Sequence, residues 1–448
     1  MAIPENHKWR YIFHFTDIHN LDSIIKNGLL CTNVKNEKGV KHKNIANMTI
    51  QERRATMDVP VGPGGKVHDY VPFYFSSMNP LLLTLLNQKN VDQQYIIYFC
   101  VKIDRLEKED AVFTNASANT LEPPTFYEET DKLNKLNWDL IDSRKWGGWT
   151  DEERHQKMAE ALIHTKVDIS EVNTILVYNE GIKNAVEQVF KANEVVPPRI
   201  LYCLTNYKFF YTKFFIPNQE RITLVTGPAT LLNEYRELIG KVKKLRSKKK
   251  GSYQYAKVSD LVDAIDKDFT VLPELKAVTG LLQDYEPHKD TVDEHTKEMV
   301  GEMKKTAYYQ GASDELKSVL VLSAYLHDIG KGPKNKWKLG KMTGAYPDHP
   351  ADAVPMLCRI LVEEIENLSD EEIRRICMLV VYHDIVGECM TKGRDKQQIS
   401  NLIESKDDLE MLYAISLADA TAIIPEWGNE IAAGKKAFMH EIMQMKQS

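Results

Sequence analysis

The chain has 448 residues, too many for a single hydrophobic core, so two or three domains are expected. Its net charge of −6 gives no overall pull towards nucleic acid, so any such binding has to come from a local patch. The longest apolar run near the start, Tyr11 to Phe15 with His14 inside it, is too short for a signal h-region, and no segment approaches the roughly 20 apolar residues of a membrane span. Six scattered cysteines without a C-x-x-C pair suggest neither a zinc knuckle nor a disulfide framework, which makes a reducing cytoplasm the expected compartment.

Taken in chain order, residues 1 to about 217 read as mixed α+β. Asn20 is placed to N-cap a short helix from Leu21 to Lys26, with Gly28 at its C-terminal end. Tyr95–Val101 (YIIYFCV) and Thr174–Tyr178 (TILVY) are short apolar runs rich in β-branched and aromatic residues, hence strands, and Phe209–Phe215 is a further one. Asn115 to Pro124 carries small and turn-forming residues and reads as a surface loop. Residues 218–270 read as a basic helical linker, with a helix over Leu231–Lys250 that ends in KVKKLRSKKK; this run is either a solvated face or a phosphate-contacting patch. From about 271 to 448 the pattern is all helical: Thr291–Lys305, Asp314–His327, Ala351–Asn367, Asp370–Tyr382, Lys406–Ala422 and Asn429–Met443.

Within that helical part, six metal-type residues stand in order: His295, the pair His327 and Asp328 (YLHDIGKG), His349, His383 and Asp419. His327 and Asp328 end an otherwise apolar helix and Asp419 follows the apolar stretch MLYAISLA, where unpaired polar groups are costly. A divalent cation satisfies them together. Gly330 permits a sharp helix exit, and Lys331 is positioned to meet a phosphate oxygen. The order H…HD…H…H…D resembles the HD phosphohydrolase superfamily. The lead-in LPELKAVTGLLQDYEPHKDTVDEHT looks like the HD region of bacterial CCA-adding enzymes, and the resemblance covers about 150 residues. It implies an all-α HD domain in which His295, His327, Asp328 and Asp419 hold one ion and His349 and His383 fit a second. Imidazole-rich ligation favours Mn, Fe, Ni or Co, with Mg used in some members. The implied chemistry is hydrolysis of a phosphate ester, on a phosphorylated nucleotide substrate.

In the first part, His14 and Thr16 (FHFTDI) close an apolar strand. Arg53 lies in QERRATMDVP with Arg54 its immediate neighbour, Tyr70, Phe73, Tyr74 and Phe75 cluster in DYVPFYF, and Glu160 sits in KMAEALIHTKV just before a strand. Singly each has a dull explanation. Together and in order they resemble the DarT family of DNA-modifying ADP-ribosyltransferases, through HFTDIHNLDSIIKNGL, an arginine before a V-P turn, YVPFYF matched letter for letter, the small-residue loop FTNASA, LNKLNWDLIDSRKW and KMAE. This covers about residues 10–215. The resemblance implies that His14, Thr16, Tyr70 and Tyr74 contact NAD. Arg53 would bind its phosphate with a catalytic share, and Glu160 would stabilise the transition state and prepare the acceptor, a base of single-stranded DNA, commonly thymine. One departure is SSMNPLLL after YVPFYF, where the family carries an arginine and this chain has Met78.

The expected protein is therefore multidomain: an ADP-ribosyltransferase-like α+β domain at 1–217, a linker at 218–270 and an HD domain at 271–448. Its partners are NAD, single-stranded DNA or another nucleic acid, and no membrane, in a toxin or phage-defence setting. The alternative is an HD nucleotidase or phosphodiesterase whose first domain only binds nucleotide or nucleic acid.

Overall fold

A computed structural model of the chain describes residues 2–45, 48–120, 122–202, 209–215 and 220–447. The chain divides into two units, Met1–Leu224 and Val225–Ser448. Cys203 lies outside the described residues. Among the described residues no helix is long and apolar enough to cross a membrane.

The first unit is built on eight strands: β1 (Tyr11–Asp17), β2 (Tyr70–Tyr74), β3 (Ile96–Lys102), β4 (Ala111–Thr114), β5 (Phe126–Tyr127), β6 (Glu160–His164), β7 (Thr174–Val177) and β8 (Arg199–Tyr202). They lie in the order β8-β7-β3-β1-β2-β6-β4-β5. The unbroken apolar run of β3 is explained by burial on both faces. Ile97, Phe99 and Val101 pack with Val71, Phe73 and Ile163 on one side, while Ile96, Tyr98 and Cys100 pack with Leu82, Leu85 and Leu86 on the other.

The sheet has a seam. β1 pairs with β3 along its whole length, from Tyr11 opposite Lys102 to Asp17 opposite Ile96, yet it meets β2 at the single register pair Phe13 opposite Tyr74. Pro72 stands in the middle of β2 and has no N–H to give the ladder. On its far side β2 pairs with β6 over five residues, Tyr70 opposite His164 through to Tyr74 opposite Glu160. Where the β1–β2 ladder stops, the His14 ring takes over and donates Nδ1–H to the Pro72 carbonyl at 2.7 Å. The carbonyl can only accept, so this bond fixes the tautomer.

Helix α1 (Leu21–Asn27) ends at Gly28, whose φ of +80° favours glycine and where a Cβ would come within 2.8 Å of the Val167 carbonyl oxygen. Asn20 does not cap it by side chain as expected. Its amide instead donates to Thr16 Oγ1 at 2.9 Å and to the Lys43 carbonyl at 3.0 Å, tying the strand end to the following segment. Helices α2 (Met48–Thr56) and α3 (Glu180–Ala192) follow along the chain. The strand expected at Phe209–Phe215 begins at Thr212 and pairs with Glu220–Thr223, apart from the eight-stranded sheet.

The second unit is helical: α4 (Pro228–Arg246), α5 (Val258–Lys267), α6 (Val292–Lys305), α7 (Asp314–Leu326), α8 (His349–Glu363), α9 (Asp370–Val381), α10 (Lys406–Ile423) and α11 (Pro425–Gln447). From the segment expected as a linker, Leu231, Tyr235, Leu238 and Val242 of α4 and Leu261 and Ile265 of α5 enter the same core as α7 and α9. The basic run closes α8. Arg246 donates to the carbonyls of Leu361, Ile365 and Glu366 at 2.6, 2.7 and 2.6 Å, and Lys249 to that of Glu363 at 2.8 Å. Leu361 and Glu363 offer orphan carbonyls of the last turn and Ile365 and Glu366 lie just past it, α8 stopping at Glu363 instead of Asn367.

Candidate active site

In the first unit the seam opens into a cavity of about 420 Å³, within the size range of small-molecule sites. His14, Thr16, Tyr70, Tyr74 and Glu160 all line it, as does Arg54. Glu160 begins β6, register-paired with Tyr74 across β2, and is 1% exposed. Arg54 Nη1 meets its two oxygens at 2.8 and 2.9 Å, and the Ala118 amide donates to Oε1 at 2.8 Å. Burial alone would pull the Arg54 guanidinium down, but the Glu160 carboxylate outweighs it and holds the group above its ordinary value. Burial first, and then the charge on Glu160, push the Tyr74 phenol up.

The arginine expected at 53 is exposed and does not line the cavity. A helix turns 100° per residue, so adjacent positions cannot share a face. On α2 Gln51 and Arg54, three apart, both line the cavity, and Arg54 takes the place at Glu160. No local pattern in this short helix marks that face in the sequence. The Ala118 amide was hidden from residue-type reasoning because the backbone supplies it. Met78, where the family carries an arginine, is buried with Phe15, Leu82 and Leu85.

His14 is driven down to about 4 by burial, opposed by its bond to Pro72. It is therefore a neutral ring with Nδ1–H committed and Nε2 an acceptor at neutral pH. Tyr70 donates its hydroxyl to the Gly64 carbonyl at 2.8 Å, and burial followed by Asp69 raises its phenol to about 12. The tyrosine is thus an aromatic wall that keeps its proton.

In the second unit the six expected ligand-type residues converge, as two triads. His295, His327 and Asp419 form one and Asp328, His349 and His383 the other, with ligand atoms in each within 4.8 Å of one another. The helix end of α7 delivers His327 and Asp328, the start of α8 delivers His349, the end of α9 His383, and α6 and α10 His295 and Asp419. Asp328 was expected with His295, His327 and Asp419, but it joins both groups: Oδ2 lies 3.2 Å from His327 Nε2 and Oδ1 3.4 Å from His349 Nε2. Lys331 does not stand free for a phosphate. It is buried, with Nζ 2.6 Å from Asp328 Oδ2 and 2.8 Å from Gln283 Oε1. Burial opposes the charge on Asp328, yet the Lys331 ammonium beside it holds it well below the carboxylate range.

The donor set fits a cation. His327, His349 and His383 each direct Nδ1 to a backbone carbonyl, those of Ala324, Tyr346 and Val380. This is the arrangement by which metal-binding imidazoles fix their tautomer, leaving Nε2 with its lone pair. His349 Nε2 and His383 Nε2 then face each other at 3.0 Å. Two nitrogens roughly 2.1 Å from one ion at right angles are roughly 3.0 Å apart. His327 Nε2 and Asp328 Oδ1 are buried without a hydrogen-bond partner, as ligand atoms would be. Gly330 makes the convergence possible, because a Cβ there would lie 1.8 Å from the His349 carbonyl oxygen.

Comparison with known proteins gives a family match over residues 13–209, described as DarT, ssDNA thymidine ADP-ribosyltransferase. A DNA ADP-ribosyl transferase of Thermus sp. (strain 2.9) is 31% identical over 185 residues, which is 40% of this chain and 87% of that protein. A DNA ADP-ribosyl transferase–DNA ADP-ribosyl glycohydrolase fusion protein of Thermosipho africanus (strain H17ap60334) is 22% identical over 230 residues, 49% of this chain and 54% of that one. The solved structure of Thermus sp. 2.9 DarT in complex with ADP-ribosylated ssDNA aligns with a TM-score of 0.41 at 29% identity, covering 45% of this chain and 97% of that one.

Proposed function

The chain belongs to the DarT family of DNA ADP-ribosyltransferases through its first unit, and we propose that this unit transfers ADP-ribose from NAD to a base of single-stranded DNA, thymine being the expected acceptor. The observation that carries this reading is the one cavity shared by His14, Thr16, Tyr70, Tyr74, Arg54 and Glu160. In the reaction the bond from the ribose anomeric carbon to the nicotinamide nitrogen breaks, nicotinamide leaves neutral, and a ring nitrogen of the base bonds to the same carbon. Glu160 faces the positive charge that develops on the ribose, and it accepts the proton the base nitrogen gives up. Arg54 and the Ala118 amide hold that carboxylate in place beforehand. The neutral His14 ring offers Nε2 as an acceptor to a ribose hydroxyl, and Tyr70 and Tyr74 supply the aromatic surface for nicotinamide. Incubation of the full chain with NAD and single-stranded oligonucleotides of varied sequence, followed by mass spectrometry, tests the reading. An ADP-ribose adduct that disappears in Glu160→Ala supports it, and no adduct on any sequence rejects it.

We further propose that the helical unit is an HD-type phosphohydrolase. The paired lone pairs of His349 and His383 support a bound divalent ion there, with Asp328 reaching both triads. When bound, such ions activate water and polarise a phosphoryl group. The chain's own part is to hold the ligand atoms rigid: Lys331 clamps Asp328, and the backbone carbonyls orient three imidazoles. Metal-loaded protein assayed on p-nitrophenyl phosphate mono- and diesters is expected to turn over. Loss in His383→Ala with retention in Glu160→Ala assigns the activity to this unit; no turnover with any of Mn, Fe, Ni, Co or Mg rejects it.

A further inference from the structure

The transferase reading leaves one duty unfilled. The arginine expected to bind the dinucleotide's phosphates, Arg53, does not line the cavity, and its neighbour Arg54, which does, gives Nη1 to Glu160. The charges around the cavity show what remains. Among the described residues that line it, Glu160 is the one carboxylate, and Arg54 meets it. Lys43 also lines the cavity, and its amine is 2.5 Å from Asp17 Oδ2. Lys35, on the short helix Thr32–Glu37, is the third cation in the wall. It is half-buried, and among the described residues it pairs with no carboxylate. Burial lowers its amine, opposed only by the Cys31 thiol, which is itself pushed up by burial and so stays protonated. The histidines of the wall bring no charge: burial lowers His14, His42 and His68 alike. A partly desolvated ammonium without a counter-ion is costly unless a ligand supplies one. The polar groups that share the wall, Asn27, Thr32 and Asn36, are suited to a hydroxyl-rich, anionic ligand.

We propose that Lys35 receives the diphosphate of the dinucleotide, fixing the ADP end of NAD while Glu160 acts at the ribose. The inference rests on the NAD reading above and adds a binding residue to it. A charge-assisted contact of this kind made equally in ground and transition states raises affinity without changing the chemical step.

The test uses the full chain and four proteins: wild type, Lys35→Gln, Lys35→Arg and, as a control on an exposed neighbour outside the cavity, Lys38→Gln. NAD and ADP-ribose affinities are measured by calorimetry, and transfer to an oligonucleotide gives kcat and KM separately. Nicotinamide riboside, which lacks the diphosphate, is the third ligand. Lys35→Gln is expected to weaken NAD and ADP-ribose by about 10- to 100-fold, to raise KM for NAD correspondingly with kcat within about threefold, and to leave nicotinamide riboside unchanged. Lys35→Arg is expected to recover most of the affinity and Lys38→Gln to match wild type. Equal NAD affinity in wild type and Lys35→Gln, or an equal loss for nicotinamide riboside, overturns the assignment while leaving the transferase reading intact. A folded wild-type chain that binds no NAD overturns both.

Discussion

His349 and His383 hold their Nε2 atoms 3.0 Å apart although both rings have given Nδ1 to backbone carbonyls. His349 is also pushed down to about 3, burial being the main cause, so an imidazolium does not relieve the encounter at neutral pH. The second unit is expected to purify with one or two divalent ions per chain by elemental analysis. Saturating metal at about 100 times its Kd stabilises the unit by about 2.7 kcal/mol, seen as a melting temperature that falls on chelation. His383→Ala is expected to lose at least about tenfold in metal affinity. A metal-free chain whose melting temperature ignores every divalent ion tried contradicts this.

Arg54 and Arg53 are adjacent yet expected to differ sharply. Arg54→Ala leaves Glu160 buried with its charge unopposed, at a cost of about 3–5 kcal/mol in the stability of the first unit and a large loss of transfer. Arg53→Ala removes an exposed side chain and stays within about 0.5 kcal/mol. Denaturant titration of the two variants decides it, and equal effects count against the geometry.

His14 sets a pH dependence. Its folded value, about 4, lies below the ordinary 6.5, so on acidification the unfolded chain takes up the proton first. The contribution to stability is complete above 6.5 and is lost as pH falls from 6.5 towards 4. His14→Gln is expected to flatten that part of the stability profile, measured by urea unfolding at pH 7 and pH 5.

Gly330→Ala is expected to destabilise the second unit by about 3 kcal/mol, since its methyl group would overlap the His349 carbonyl and the Ala353 amide. The same displacement separates Asp328 from His349, so metal uptake falls with it. Calorimetric unfolding with and without the ion checks both effects.

Much of this was open to sequence reading. The apolar helix that ends in His327 and Asp328, the continuous run of β3 and the ordered set His295 to Asp419 each follow from local pattern, and the structure gathers all six metal-type residues. What escaped depends on direction and on distant partners. Whether Arg53 or Arg54 faces Glu160 turns on the rotation of α2, which a nine-residue helix with a weak apolar stripe does not announce. Asn20 resembles a helix cap until Thr16 and Lys43 compete for it. The lysine-rich end of α4 reads as solvated because its acceptors, the carbonyls of Leu361 to Glu366, lie more than a hundred residues downstream. Asp328 has two oxygens, and only three-dimensional placement shows that each serves a different triad.

The proline in β2 has a lasting effect on the first unit. Because position 72 has no amide hydrogen, β2 cannot donate to β1 there, and their pairing is confined to Phe13 opposite Tyr74. The crevice beside that proline is already open in the folded chain. An entering dinucleotide meets walls already standing, and the work of separating two strands was completed when the protein folded.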